Sequence, residues 1–458
     1  MMMPKILAET ALLPDGWAEN VLVELDDIGR IAKVTANVTG AATKSNVSCL
    51  LPAPVNAHSH AFQRAMAGLT EHRSTNTTDS FWTWRELMYL FLDQLTPDHI
   101  EAIAALVQME MLEAGYATNV EFHYLHHAPD GNRYENLSEM AERIMSAAKT
   151  TGIGLTILPV HYQYGGCDMR PLVRGQCRFY NDLDSFADLC DGVRSGLCNL
   201  PADTAFGVAP HSLRAVAPHS LGLTRALAGG GPFHMHLAEQ RAEVVEVSHH
   251  LGARPVDWVL DNFDVGPDCC FIHCTQMRPH ETTGLAASGA IAGLCPITEA
   301  SLGDGIFDGV AWFEAGGMIA IGSDSNIRIS LSQELRSLEY SQRLRDQSRA
   351  ALATSNASTG RHILDNMIAG GAQAAGRHTG QIAPGYWADL MALDKQTATL
   401  AGRSKDQLID SFIFAGDDHL VHDVWSAGRH LVTAGRHVDH DKITSAYVRA
   451  LTSLRHDL

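Results

Sequence analysis

Between residues 51 and 378, short apolar runs alternate with helical stretches, and this alternation constrains the fold more than any other feature. The runs are Leu51 to Ala57, Ala117 to Phe122, Gly154 to Val160, Ala205 to Ala209, Pro232 to Leu237, Cys269 to His273, Ala290 to Cys295 and Met318 to Gly322. Segments of helical character lie between them, for example Pro97 to Ala114, Ser138 to Thr150 and Arg241 to Leu251. Apolar strands that each feed a helix are the pattern of a parallel sheet covered by helices, which is α/β architecture. Eight such units predict a (β/α)8 TIM barrel with insertions, and a doubly wound open sheet is the alternative. The flanks differ in kind. Ile6 to Leu13, Val21 to Leu25, Ile31 to Val34 and Val421 to Val432 read as strands with tight turns. A small discontinuous β-sandwich domain from both termini, residues 1–50 and 379–458, is therefore expected beside a catalytic barrel over 51–378.

In such a barrel the active site lies at the C-terminal ends of the strands. The first run ends in Asn56-Ala57-His58-Ser59-His60, the fifth in Phe233-His234-Met235-His236-Leu237-Ala238-Glu239 and the sixth in Phe271-Ile272-His273-Cys274. The eighth ends in Gly322-Ser323-Asp324-Ser325-Asn326. Residues two apart on a strand share a face, so His58 and His60 both turn to the barrel axis, and His234 and His236 share a face as well. Neutral imidazoles suit zinc or iron at about 2 Å. Each motif alone has a structural explanation: a polar core pair for the histidines, a helix cap for Asp324. Ligand-type residues at four independent strand ends point instead to one metal-dependent centre.

Composition narrows the partners. Acidic residues outnumber basic ones 52 to 34, a net charge of −18, which argues against nucleic acid or an anionic membrane. No apolar stretch reaches eighteen residues, so no membrane span is expected. The nine cysteines are odd in number and form no CxxC pair. That usage, together with a start that carries Glu9 before any long apolar run, predicts a reduced cytoplasmic protein.

On these strand-end motifs, on Thr379-Gly380-Gln381-Ile382-Ala383-Pro384-Gly385 and on the terminal β segments, the chain resembles the amidohydrolase superfamily over nearly its whole length. Binuclear members commonly bridge two metals through a carboxylated lysine on the fourth strand. This chain has no lysine between 150 and 394, and its fourth run ends in Ala209-Pro210-His211-Ser212-Leu213-Arg214. His236 to Glu239 forms HxxE, which is similar to the mononuclear deaminase branch. Within that branch the chain resembles the formimidoylglutamate deiminase family, through Asn56 to Leu69, Phe81-Trp82-Thr83-Trp84-Arg85-Glu86, Glu121-Phe122-His123-Tyr124, Pro210 to Arg214 and Gly322 to Asn326. The resemblance implies one divalent metal, zinc, held by His58, His60, His236 and Asp324. It implies Glu239, His273 and Asp324 as catalytic groups, and Gln63, Arg85, Tyr124, His211 and Arg214 as substrate contacts. It also implies a homodimer.

The implied chemistry is consistent with these residue types. A formimidoyl carbon is attacked only slowly by water, and zinc lowers the pKa of water to about 7 while polarising the electrophile. His273 or Asp324 takes the first proton, and Glu239 hands one to the nitrogen leaving as ammonia. The implied substrate, N-formimino-L-glutamate, is a small anion with two carboxylates, which suits the planar forks of Arg85 and Arg214. Arg328 is a further candidate. Ordinary alternatives are a surface pair of Arg85 with Glu86 and a buried structural His211. The competing functions are deamination of an aromatic base, with Trp82 and Trp84 as stacking partners, and a non-catalytic barrel module.

Overall fold

The computed structural model describes residues 4–40, 43, 45–71 and 81–455, leaving aside the side chains of 81–83, 85–87, 174 and 455. Its barrel strands are Val55–Ser59, Thr118–His123, Gly154–His161, a fourth in two pieces (Ala205–Phe206 and Ala209–Pro210), Phe233–Leu237, Cys269–His273, Ile291–Leu294 and Met318–Ile321. They pair in parallel in sequence order. The ring closes, because Ile321 pairs with Asn56 and Val208 bridges to Phe233. A closed ring excludes the open doubly wound sheet. Gly154–His161, Phe233–Leu237 and Cys269–His273 are buried along their lengths, which is why they read as largely apolar runs, and Thr118–His123 is equally buried although it carries Thr118, Asn119, Glu121 and His123. The fourth strand is interrupted at Gly207, where a Cβ would stand 2.4 Å from the Pro232 carbonyl oxygen.

The first apolar run conceals a boundary. Ser45–Pro52 belongs to the terminal sheet, and only Val55–Ser59 enters the barrel. The break falls at Ala53-Pro54, so the sheet runs two residues beyond the expected limit at 50. Among the described residues that sheet has eight strands, ordered Arg436–His437, Arg429–Thr433, Val421–Ser426, Leu390–Leu393, Ser45–Pro52, Lys5–Leu13, Gly16–Leu25 and Ile31–Thr35. It is mixed, since Lys5–Leu13 runs parallel to Ser45–Pro52. It also curls, because Ile31 exchanges backbone hydrogen bonds of 2.9 and 2.8 Å with Tyr386 and Gly385. Its core includes Ile6, Val21, Val23, Ile31, Leu390 and Trp425. The strand-and-turn reading of the C-terminal segment missed two helices, Asp406–Phe414 and His440–Arg455, which pack against the barrel helices Thr359–Ala374 and Pro97–Glu113 respectively. Among the described residues no helix is long and apolar enough to cross a membrane.

A buried ion network joins this sheet to the base of the barrel. The Arg377 guanidinium lies 2.9 Å from Asp389 and 3.5 Å from Asp203, and Arg429 adds contacts of 3.0 and 2.7 Å to Asp203. Asp389 also accepts from Thr379 Oγ1 at 2.8 Å and from the Ala427 N–H at 2.7 Å. Removing one partner of a fully buried pair strands the other charge, at a cost of about 3–5 kcal/mol. Arg377→Met is accordingly expected to lower the urea midpoint of the first unfolding transition, and Arg377→Met/Asp389→Asn to recover part of the loss.

Several histidines of this histidine-rich chain are lowered chiefly by burial. Burial holds His123 at about 3, and His161 and His234 at about 4. They stay neutral in the folded state, whereas the unfolded chain protonates them near pH 6.5. Between these values the unfolded state binds more protons, so stability falls as the pH drops below 6.5. The thermal midpoint should decline steadily from pH 7 to pH 5, and a flat profile would contradict this account.

Candidate active site

Backbone pairing at the seam between the first and last strands sets the site. The Asp324 N–H donates to the His58 carbonyl and the His60 N–H to the Asp324 carbonyl, each at 2.9 Å. Gly322 makes this approach possible, since a Cβ there would lie 2.6 Å from His58 Cβ. Asn56 and Asn326 brace the turn through the Ser323 hydroxyl, at 2.7 and 2.6 Å. Asp324 is not a helix cap, because Ser330 caps the following helix, Leu331–Asp346. Left-handed φ values at Ala238, His273, Cys274, Asp324 and Asn326 gather at the strand exits around this point. Such conformations cost about 1–3 kcal/mol each and persist where the surroundings impose them.

His58, His60, His236 and Asp324 converge there, offering ligand atoms within 4.8 Å of one another, all buried. Nε2 of His58 lies 3.1 Å from Nε2 of His236 and 3.5 Å from Asp324 Oδ1, and His60 Nε2 lies 3.2 Å from the same oxygen. The Nδ1–H of His60 donates to the Phe122 carbonyl and that of His236 to the His211 carbonyl, both at 3.0 Å. A carbonyl only accepts, so each of these rings carries its proton on Nδ1 and turns a bare Nε2 inward. Bare nitrogens facing one carboxylate oxygen are a donor set that fits a divalent cation. Burial and the neighbouring imidazole His60 lower His58 to about 3, and burial with His211 and His58 puts His236 well below its usual value. Burial would raise Asp324, yet the adjoining rings of His58, His60 and His273 hold it well below the carboxylate range. His234 takes no part: its Nε2 bonds the Ala374 carbonyl at 2.8 Å.

Glu239 and His273 stand beside this group. The His273 ring presents Nε2 to Asp324 Oδ2 at 3.8 Å and Glu239 Oε1 at 4.0 Å, while Nδ1 meets Glu299 Oε1 at 3.3 Å. Burial opposes its protonation, but Glu239, Glu299 and Asp324 together push His273 up to about 10. Glu239 is raised, chiefly by burial, with His273 and Arg214 pulling the other way. Its backbone is fixed by Glu243, whose carboxylate accepts the N–H groups of Ala238 and Glu239 at 3.0 and 2.9 Å. Neither Glu243 nor Glu299 stood out in the sequence, where each is one more acid near the start of a helix.

One cavity is lined by His60, His236, Glu239, His273 and Asp324 together with Gln63, Tyr124, His211 and Arg214. Gln63 donates to the Tyr124 hydroxyl at 2.7 Å. The Arg214 guanidinium approaches Glu239 at 3.7 Å and Glu243 at 3.9 Å, while among the described residues its buried Nε has no hydrogen-bond partner, and neither has Gln63 Oε1. Arg85 belongs to the helix Phe81–Leu92, which brings Trp84 and Met88 to the cavity wall, but its side chain lies outside the described residues, as does Glu86. Arg328 is exposed and away from the cavity lining. Tyr162, Phe179 and Arg170 also line the cavity, brought in by loops after the third strand that carry no motif.

Comparison with known proteins agrees with this geometry. Residues 49–431 match the model of the Amidohydrolase family, and residues 3–45 match that of "Formimidoylglutamate deiminase HutF, N-terminal domain". A formimidoylglutamate deiminase from Pseudomonas aeruginosa is 43% identical over 99% of this chain and 100% of its own length. A 5-methylthioadenosine/S-adenosylhomocysteine deaminase from Halobacterium salinarum is 26% identical over 85% of this chain and 84% of its own. The crystal structure of an amidohydrolase from Brucella melitensis superposes with a TM-score of 0.94 at 44% identity, covering 99% of this chain and 100% of that one. With the barrel, the strand-end ligand set and these matches in register over almost every residue, the chain belongs to the amidohydrolase family and, within it, to the formimidoylglutamate deiminases.

Proposed function

We propose that this protein hydrolyses N-formimino-L-glutamate to N-formyl-L-glutamate and ammonia, a step of histidine degradation, using one zinc ion held by His58, His60, His236 and Asp324. The observation that carries the substrate reading is Arg214: a buried guanidinium whose Nε has no hydrogen-bond partner among the described residues, in the same cavity as the ligand group. A buried arginine fork is suited to a carboxylate and has little to offer a neutral ring. Arg85, on the helix that borders the cavity, is the proposed partner of the second carboxylate. Gln63, Tyr124 and His211 supply the uncharged contacts that orient the chain between the two.

A divalent cation in this ligand set supplies an acidified water at neutral pH and a Lewis acid for the formimidoyl group. The remaining work falls to the protein. His273 Nε2 and Asp324 Oδ2, 3.8 Å apart, form the pair at which the attacking water loses its first proton. The flanking carboxylates of Glu239, Glu299 and Asp324 favour residence of that proton on His273. Glu239, whose proton affinity burial raises, delivers a proton to the departing nitrogen. Glu299 keeps the His273 ring oriented through Nδ1, and Glu243 keeps Glu239 at its station.

Ammonia release from N-formimino-L-glutamate, with guanine, cytosine and 5-methylthioadenosine in parallel, tests the substrate. Turnover of a base but not of N-formimino-L-glutamate would overturn the assignment. Glu239→Gln should retain its metal and lose roughly 10²–10⁴-fold in kcat, and undiminished turnover would place the proton shuttle elsewhere. Arg214→Met should cost about 2 kcal/mol or more in substrate binding, which is roughly 30-fold in KM, with a smaller change in kcat. An unchanged KM would remove Arg214 from carboxylate recognition.

A further inference from the structure

A second group of metal-ligating atoms lies against the first. A ring nitrogen of His273, Sγ of Cys295 and a carboxylate oxygen of Asp324 fall within 4.8 Å of one another, and all three residues are buried. They come from the ends of the sixth, seventh and eighth barrel strands. We propose that His273, Cys295 and Asp324 form a second cation site for thiophilic divalent ions such as zinc or cadmium, and that filling it shuts the enzyme down. This rests on the reading of His58, His60, His236 and Asp324 as the catalytic metal's ligands.

The two oxygens of Asp324 face different partners. Oδ1 lies 3.5 and 3.2 Å from His58 and His60, whereas Oδ2 lies 3.8 Å from His273 Nε2. One carboxylate is therefore placed to bridge two cations. Glu299 fixes the spacing of the other two ligands, because its Oε1 meets both the Cys295 N–H at 2.8 Å and His273 Nδ1 at 3.3 Å. Thiolate, imidazole and carboxylate together suit zinc and cadmium and select against the hard ions magnesium and calcium. On binding, the Cys295 thiol gives its proton to solvent and the sulfur takes up the cation. The occupied site would hold His273 and Asp324 Oδ2, the pair that hydrolysis requires. One equivalent of metal then activates the enzyme and a second inhibits it.

The test loads the full-length protein with one equivalent of zinc and titrates it with cadmium. Cadmium uptake, ammonia release and the ultraviolet thiolate-to-cadmium absorption are followed together. Wild type is expected to bind one further equivalent, gain the band and lose activity in parallel. Cys295→Ala and Cys295→Ser should keep the first zinc and the activity, lack that increment of absorption, and need at least about tenfold more cadmium for half-inhibition. The proposal fails if both variants bind and are inhibited as wild type is, or if wild type binds no second equivalent. A wild type that does not hold even the first equivalent overturns the underlying metal assignment as well.

Discussion

Where the last barrel strand returns to the first, two backbone hydrogen bonds of 2.9 Å tie Asp324 to His58 and His60. Barrel closure and site assembly are thus one event. The same pairing that completes the ring sets an aspartate beside two imidazoles, and a glycine with no side chain lets the strands come close enough. Everything else in the site is arranged around this seam. The fifth strand adds His236 across the axis, the sixth adds His273, and hydrogen bonds from ring nitrogens to main-chain carbonyls aim the lone pairs inward. Preorganisation of this kind makes the left-handed strand exits tolerable, because closure of the ring over-determines them.

Charge in the site is balanced locally and owes little to the acidic surface. Glu239, Glu243, Glu299 and Asp324 crowd around His273 and Arg214, and each cation is shared between acids that would otherwise be buried alone. The net charge of −18 is screened beyond about 8 Å at physiological salt, so the field inside the cavity is set by its own charges, Arg170 and Arg214 among them. The crowding also explains how two carboxylates differ in role. Asp324 is lowered by the rings of His58, His60 and His273 around it, whereas Glu239 is raised by burial.

The chemistry-bearing strand ends were legible because two constraints coincide there. Strand alternation decides which side chains face the axis, and metal and proton chemistry restrict the residue types that are useful. His58, His60, His236 and Asp324 satisfy both, and the structure gathers them in one group. Glu243 and Glu299 satisfy neither in a visible way, since their partners are a backbone turn and an imidazole on a neighbouring strand. Tyr162, Phe179 and Arg170 arrive on loops without periodicity. In the fold, the eight runs reported the barrel because parallel strands buried on both faces lack the regular polar alternation of a half-exposed strand. The boundary at Ala53-Pro54 was hidden for the same reason: two strands of different sheets follow one another with no polar residue between them.

The ion network of Asp203, Arg377, Asp389 and Arg429 lies at the barrel's base, opposite the cavity. A barrel cut free of its terminal sheet would keep Arg377 and Asp203 but lose both Asp389 and Arg429. The terminal sheet is in this sense a counter-charge for the barrel rather than an independent lobe, and neither part is a portable module. Sites well separated and without shared partners contribute additively to stability. Loops at the mouth are therefore free to be rewritten for a new substrate while the base goes on holding the chain together.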